Sequence, residues 1–83
     1  MPVQRLLVVE DDPAVRMTII TGLEAEGYAV DAAASTREAL DRLRESSYSI
    51  VISDIYLDDR TGLDVLQAAR ASNPGCAVIL MTA

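Results

Sequence analysis

Short apolar runs alternate along this chain with longer segments in which apolar residues recur at helical spacing. The short runs cover residues 5–9, 28–33, 48–53 and 77–81, and the first of them is rich in branched aliphatic side chains. The run 5–9 is continuous, which is typical of a strand that is covered on both faces. The segments between the runs carry the apolar stripe of amphipathic helices. The pattern therefore predicts seven elements in the order β-α-β-α-β-α-β.

Capping and turn-forming residues mark the ends of the predicted helices. The expected boundary signals are Asp12 and Pro13 before the first helix, Gly27 after it, the capping box 35–38 before the second, and Thr61, Gly62 and the turn 73–75 around the third. The residues expected to face the core are Val15, Ile19, Ile20 and Leu23 in the first helix, Ala39, Leu40 and Leu43 in the second, and Leu63, Val65, Leu66 and Ala69 in the third.

Strict alternation of strands and helices predicts an α/β fold, with a parallel sheet between two helical layers and right-handed crossovers. The pattern alone does not decide the order of the strands. The order 2-1-3-4 of flavodoxin-like folds is one of the common solutions, and it is the order that we expect here.

Composition narrows the class of protein. With 51% hydrophobic and 24% charged residues, the chain has the balance of a globular domain. The run 76–81 is too short to cross a bilayer, and residues 1–7 lack the features of a signal peptide, so we expect no membrane association. A single cysteine, Cys76, fits a reducing cytoplasm. The net charge of −6 argues against contact with nucleic acid, and the absence of histidine argues against zinc.

Acidic residues follow two of the predicted strands at the point where each strand ends. Glu10 and Asp11 come directly after the first strand, and Asp54 comes directly after the third. In the order 2-1-3-4, the first and third strands are neighbours, and ligands bind such sheets beyond the carboxyl ends of the strands. We therefore expect these three carboxylates to lie close together, with the hydroxyl of Thr82 nearby at the end of the fourth strand.

Three adjacent carboxylates repel one another, by about 4 kcal/mol for two charges about 4 Å apart at an effective dielectric of about 20. Protonation of one acid or binding of a cation would relieve this repulsion. The ligands are all hard oxygens, which favours Mg²⁺ or Mn²⁺. A Mg²⁺ site of this kind leaves room for phosphate oxygens and indicates phosphoryl chemistry.

Three segments carry a family resemblance: VVEDDPAVR, SDIYLDDRTGLDVL and VILMTA. Together they resemble, in register from about Arg5 onward, the receiver domain of bacterial two-component response regulators. The resemblance implies that Glu10 and Asp11 hold the metal and that Asp54 is the phosphoacceptor. It also implies that Tyr56 offers its backbone carbonyl to the metal, and that the Thr82 hydroxyl bonds the phosphoryl group and couples it to a switch.

The resemblance further implies the partners of the chain. A sensor histidine kinase, or a small donor such as acetyl phosphate, would supply the phosphoryl group. The product would be a phosphorylated signalling switch rather than a turnover enzyme, and transcription is the expected output. The loop after Asp54 departs from the commonest family pattern at Leu57, Asp58, Arg60 and Thr61, but none of these positions is an expected ligand.

The family pattern also has five strands and a lysine at the end of the fifth, whereas all seven basic residues here are arginine. On this comparison, residues 1–83 are expected to form a single, incomplete receiver domain that lacks the fifth strand and the last helices. Such a piece would leave the fourth strand as an apolar edge, and we expect the isolated piece to associate with itself through that edge.

Other interpretations of these residues remain open at this point. Asp12 is best explained as a helix cap, Asp58 and Asp59 as loop charge, and Cys76 as an ordinary strand-entry residue. The acids at the strand ends are also compatible with a Mg²⁺-dependent phosphohydrolase, although such enzymes usually have a tight Asp-x-Asp. A third alternative is an interaction module that keeps the fold without being phosphorylated.

Overall fold

The computed structural model of this chain describes residues 4–57 and 61–81. Its elements follow the predicted order. The strands are β1 (Arg5–Val9), β2 (Ala29–Ala33), β3 (Ile50–Asp54) and β4 (Ala77–Met81), and the helices are α1 (Pro13–Ala25), α2 (Thr36–Glu45) and α3 (Gly62–Ser72). The largest difference from the prediction is at the third strand, which begins at Ile50 rather than at residue 48 and includes Asp54.

The four strands form one parallel sheet in the order β2-β1-β3-β4, so the expected order is confirmed. From β1 the chain crosses to β2 on one side, and it then moves to β3 and β4 on the other. Because such crossovers are right-handed, α1 lies on one face of the sheet and both α2 and α3 lie on the opposite face. The predicted three-layer arrangement is therefore confirmed.

The main core lies between the sheet and the pair α2 and α3. Its buried members are Leu7, Val9, Ala33, Ala39, Leu43, Tyr48, Val51, Val65, Ala69 and Cys76. Because successive side chains of a strand point to opposite faces, Leu6 and Val8, which are also buried, face the α1 side. β1 is thus covered on both faces, as its continuous apolar run predicts.

The α1 side of the sheet is covered less completely than the expected apolar stripe predicts. No residue of α1 is buried, and Val15 is 44% exposed, so the prediction that it faces the core was wrong. The reason is the number of helices: within the part of the chain that the structure describes, α1 alone covers this face, whereas two helices cover the other. On β4, which is two strands away from β1, the side chain of Ile79 is 51% exposed.

The ends of α1 confirm their sequence signals. One carboxylate oxygen of Asp12 accepts hydrogen bonds from the amides of Ala14 at 2.9 Å and Val15 at 3.2 Å. Pro13, which has no amide hydrogen to satisfy, occupies the first turn. After the helix ends, Gly27 has a φ of 94°, a left-handed conformation that glycine adopts without steric strain.

The start of α2 has the predicted capping box, and the start of α3 does not have the predicted side-chain cap. The Ser35 hydroxyl accepts a hydrogen bond from the Glu38 amide at 3.2 Å, and the Glu38 carboxylate accepts one from the amide of Ala34 at 3.1 Å. Thr61 occupies the cap position of α3 with extended backbone, but its side chain makes no capping bond. Thr61 is therefore the cap residue of this helix, as expected, but its hydroxyl does not contribute a bond.

The inward face of α3 also differs in one place from the prediction. The buried residues are Gly62, Val65 and Ala69, which follow each other at spacings of three and four residues. Leu63 lies beside this row rather than in it and is 53% exposed. The row begins at Gly62 because the first turn of the helix packs its backbone directly against the end of β3.

Tyr48 joins three parts of the core. Its side chain is 2% exposed, and its hydroxyl donates a hydrogen bond of 2.6 Å to the carboxylate of Asp31 on β2. Its backbone carbonyl accepts a bond of 3.1 Å from the side-chain amide of Asn73, just after α3. Burial raises the pKa of Tyr48 to about 12, and the Asp31 carboxylate acts in the same direction.

This hydrogen bond predicts a specific pH dependence of stability. The native protein holds the Tyr48 proton up to a pKa of about 12, whereas the unfolded chain releases it near 10. The native state therefore binds more protons in this window, and the free energy of unfolding falls as the pH rises, by up to about 1.4 kcal/mol per pH unit. We expect Tyr48→Phe to remove this contribution and to lower the stability at neutral pH by about 1.5 kcal/mol.

The measurement is chemical denaturation of both proteins from pH 7 to pH 12. Tyr56→Phe is the matched control because Tyr56 is 71% exposed, and we expect it to change the stability by less than about 0.5 kcal/mol. Equal slopes above pH 10 for the parent and Tyr48→Phe would contradict the prediction.

Candidate functional site

Three carboxylates meet at the carboxyl ends of β1 and β3. Glu10 and Asp11 follow β1, Asp54 ends β3, and one ligand oxygen from each residue lies within 4.8 Å of the others. Glu10 is 5% exposed, Asp54 is 9% exposed, and Asp11 is half-buried. The two strands are neighbours in the sheet, so the topology places the acids together at its edge.

Backbone hydrogen bonds and one arginine hold Glu10 in place. Its amide donates to the carbonyl of Ala33 at 3.0 Å, which extends the pairing of β1 with β2 by one residue. Its carboxylate accepts a bond from the amide of Asp12 at 3.1 Å. Its carbonyl accepts a bond of 2.8 Å from the guanidinium of Arg16 in α1. Main chain and side chain of Glu10 are therefore both fixed.

The end of β3 is held by its neighbours in the sheet and by its own turn. The amide of Tyr56 donates a hydrogen bond of 3.1 Å to the Asp54 carboxylate. The amide of Ile55 donates to the carbonyl of Met81 on β4 at 2.9 Å, and the buried hydroxyl of Ser53 donates to the carbonyl of Asp54 at 2.9 Å. These bonds orient the Asp54 carboxylate toward the acids that follow β1.

Gly62 makes the closest approach to the backbone of Asp54. Its amide donates a hydrogen bond of 2.7 Å to the carbonyl of Ile55. A Cβ atom at this position would overlap with the carbonyl oxygen of Asp54 and lie 3.1 Å from the Cα of Ile55. Only glycine allows the first turn of α3 to pack here, so this residue positions the acid although it contributes no polar side chain.

The site concentrates negative charge without a basic partner. Among the described residues, no basic side chain forms an ion pair within 4.0 Å with any of the three carboxylates, since the ion pair found there is Arg44–Asp41 on α2. Burial raises the pKa of the Glu10 carboxyl above its usual value, and the nearby Asp54 charge adds to this, while the Asp12 amide opposes it. Among the described residues, the three carboxylates therefore lie together with no ion-pair partner to offset them.

The donor set of the cluster fits a hard divalent cation. All the converging side-chain ligands are carboxylate oxygens, the chain has no histidine, and the thiol of Cys76 is buried in the core next to the start of β4. Oxygen ligands of this kind favour Mg²⁺ or Mn²⁺ over softer metals. Asp11 is half-buried, so its carboxylate is partly accessible to solvent.

Two of the expected site residues need separate description. Tyr56 has an exposed side chain and donates its amide to Asp54, and the role of its carbonyl as a metal ligand stays a prediction. Thr82 lies outside the described residues, as do Asp58, Asp59 and Arg60. The residue before Thr82, Met81, pairs with Asp54 in the register of β3 and β4.

Two contacts of the site were not expected from the sequence: the close packing of Gly62 and the bond from Arg16 to Glu10. A signal for Gly62 was present, because glycine is an unfavourable residue inside a helix and usually has a packing reason there. For Arg16 the signal was weaker. It is the first basic residue after three consecutive acids, and only the fold shows that its side chain turns back toward them.

Comparison with known proteins identifies the family. The family model described as "Response regulator receiver domain" matches residues 6–83. The chain therefore belongs to the receiver domain family of response regulators, as its sequence motifs indicate. Receiver domains of response regulators take a phosphoryl group from histidine kinases and bind Mg²⁺.

Individual relatives agree with this assignment. The probable transcriptional regulatory protein TcrX of Mycobacterium tuberculosis is 36% identical over 78 residues, which are 94% of this chain and 33% of that protein. The chain thus spans about one third of the length of this curated relative. Its relatives include two-component response regulators and transcriptional regulators.

Solved structures show the same fold. The response regulator TrrA of Thermotoga maritima, solved with Mg²⁺ and a beryllium fluoride, superimposes with a TM-score of 0.88 at 35% identity, over 96% of this chain and 70% of that one. A CheY-like receiver domain protein of Methanospirillum hungatei gives a TM-score of 0.93 at 33% identity, over 98% and 65%. In the described part of this chain, no helix is both long and apolar enough to cross a membrane.

The close packing of Gly62 generates a prediction. We expect Gly62→Ala to lower the free energy of unfolding by about 1–3 kcal/mol, because the new methyl group meets rigid backbone rather than a flexible side chain. We also expect a weaker response of the protein to Mg²⁺, since Asp54 must shift to make room. Chemical denaturation with and without Mg²⁺ measures both effects.

Gly22→Ala is the matched control for this substitution. Gly22 lies inside α1, and a Cβ there would meet nothing within 4 Å. The same change should therefore raise the stability by about 0.5–1 kcal/mol through helix propensity. If the two variants changed stability in the same direction, the close approach at Gly62 would not be the controlling contact.

Proposed function

We propose that this chain is the phospho-accepting receiver of a two-component system and that Asp54 is its phosphoacceptor. The observation that carries the proposal is the meeting of Asp54 with Glu10 and Asp11 at the strand ends of a receiver fold. Of the three acids, Asp54 alone ends β3, with its carboxylate held by the Tyr56 amide. Asp11, at the more open side of the cluster, leaves room for a donor to approach.

The proposed reaction is a direct phosphoryl transfer. A carboxylate oxygen of Asp54 attacks the phosphorus atom and forms a new P–O bond. The bond to the donor breaks in the same step: the P–N bond of a phosphohistidine, whose imidazole keeps the electron pair, or the P–O bond of acetyl phosphate, which leaves as acetate. The amide of Tyr56 is placed to hold the carboxylate while the new bond forms.

We assign the metal site of this reaction to Glu10, Asp11 and Asp54, with the carbonyl of Tyr56 as a further ligand. Mg²⁺ is the favoured ion, and Mn²⁺ suits the same oxygen ligands. A bound divalent cation would neutralise charge on the phosphoryl oxygens, which three nearby carboxylates would otherwise repel. The absence of a basic partner within 4.0 Å of these acids, among the described residues, supports a cation as their counter-charge.

The signalling roles extend beyond the described residues. We propose that the donor is a sensor histidine kinase in the cytoplasm and that Thr82 couples phosphorylation to the output of the protein. The transcriptional regulators among the relatives support transcription as that output. A new dianionic group beside the end of β4 would draw a neighbouring hydroxyl toward it and change the adjacent surface.

Phosphorylation of the full-length protein tests this function. We expect incubation with Mg²⁺ and acetyl phosphate to give a covalent phosphoryl adduct by intact mass, and we expect Asp54→Asn to abolish it. Asp41→Asn is the matched control, because it makes the same acid-to-amide change at an exposed position on α2. This variant should be labelled like the parent.

Two other results would replace the proposal. Turnover of a diffusible phosphoester without an adduct would indicate the phosphohydrolase alternative. A folded full-length protein that forms no adduct and does not bind a beryllium fluoride mimic would indicate an interaction module.

We also propose that residues 1–83, taken alone, associate through the free edge of β4. In the sheet of the described residues, β4 pairs only with β3, and its side chains are exposed or half-buried, with Ile79 at 51%. An apolar edge with unpaired backbone groups favours pairing with another chain.

Sedimentation velocity over a range of concentrations tests this association. We expect the weight-average mass of residues 1–83 to rise with concentration. Ile79→Lys should reduce the association, because a charged side chain on an edge strand opposes pairing. A compact monomer at the highest concentration would refute the proposal.

A further inference from the structure

Arg16 connects α1 to the end of β1 at the acidic site. Its side chain turns back toward the start of the helix, as long side chains in helices do, and its guanidinium donates a hydrogen bond of 2.8 Å to the carbonyl of Glu10, six residues earlier. Its backbone amide donates to the carbonyl of Asp12 at 2.9 Å. Two hydrogen bonds from one residue therefore span the turn that carries the acids.

The bond to the Glu10 carbonyl also affects Asp11. The carbonyl of Glu10 and the amide of Asp11 belong to the same planar peptide unit, so fixing one orients the other. In an extended strand, consecutive side chains point to opposite faces. The carboxylates of Glu10 and Asp11 nevertheless reach the same site, and the backbone bends at Asp11, next to the carbonyl that Arg16 contacts.

The Arg16 guanidinium bonds to the Glu10 carbonyl without forming an ion pair with the carboxylates. Among the described residues, Arg16 forms no ion pair within 4.0 Å with any of the three acids. It contacts the backbone carbonyl of Glu10 instead, so the guanidinium does not compete with a cation for the carboxylate oxygens. Arg16 is half-buried, which limits competition from water for this bond.

We propose that Arg16 is a positioning residue of the acidic site: by holding the Glu10–Asp11 peptide, it keeps both carboxylates oriented for binding a divalent cation together with Asp54. This inference rests on the proposed metal site. It adds a residue that would be a ligand neither of the metal nor of the phosphoryl group, and whose loss should weaken metal binding while all the acids remain.

Calorimetric titration of the full-length protein with Mg²⁺ tests this role. We expect Arg16→Met, which keeps the length of the side chain but removes its donors and charge, to raise the Mg²⁺ dissociation constant by about tenfold. Arg16→Lys keeps the charge and a donor that can reach the carbonyl, so it should recover most of this loss. Arg70→Met is the control, since Arg70 lies in the last turn of α3, near the start of β4 rather than the carboxyl ends of the strands.

Labelling with acetyl phosphate at increasing Mg²⁺ provides a second measurement. For Arg16→Met we expect the half-saturating Mg²⁺ concentration to rise by about the same factor, while labelling at saturating Mg²⁺ stays within about twofold of the parent. A residue that only stabilised the fold would lower the amount of active protein without moving this Mg²⁺ midpoint. Circular dichroism of the metal-free variants shows whether they are folded.

Other results of the Mg²⁺ titration and of the folding measurement would contradict the proposed role of Arg16. Equal or tighter Mg²⁺ binding by folded Arg16→Met would overturn the positioning role, and tighter binding would show that the guanidinium acts as a competing cation. If Arg16→Met does not fold, Arg16→Gln replaces it, and loss of folding in both would assign Arg16 to the stability of the fold instead. A parent protein that is folded but binds no Mg²⁺ would overturn the proposed metal site and, with it, this inference.

Discussion

The site depends on the parallel pairing of β1 with β3. In this register Val9 lies opposite Ser53, so the residues that follow, Glu10 and Asp54, lie side by side at the carboxyl end of the sheet. A shift of one residue would turn every side chain of one strand to the other face and separate the acids. The buried aliphatic residues of β1 and β3 prevent such a shift, because they must face their helices. The apolar core thus determines where the charges lie.

The same arrangement works against the stability of the metal-free protein. Carboxylates held close together by the sheet repel each other, and burial of Glu10 adds a desolvation penalty. Local hydrogen bonds offset part of this repulsion and desolvation. The amides of Asp12 and Tyr56 and the Arg16 guanidinium donate them to the two strand ends. These bonds therefore hold the acids in place without a ligand. A bound cation would relieve the repulsion between the carboxylates.

Most of the fold was predictable because its signals are local. Asp12, Ser35 and Gly27 have the preferences of caps and turns, and the structure places them at those positions. Strand order was accessible only as a common solution for this alternation. The exposure of Val15 and Leu63 was not predictable from periodicity. For Val15 it depends on how many helices cover its face of the sheet, and for Leu63 it depends on which row of α3 packs against the sheet. The proximity of the three acids could be predicted once the strand order 2-1-3-4 was assumed. The contacts of Gly62 and Arg16 are tertiary, and the pattern of hydrophobic and polar residues does not predict them.

Because Gly62 has no side chain, the backbone of α3 packs directly against the end of β3. The helix cannot move toward the strand, because its backbone already abuts the carbonyl of Asp54, and moving away breaks the bond between its first amide and Ile55. The amide of Ile55 donates in turn to the carbonyl of Met81, so backbone hydrogen bonds connect the ends of β3 and β4 with the first turn of α3. A displacement of main chain at Asp54 would reach both the helix and the neighbouring strand through covalent geometry and short contacts, without a relay of side chains.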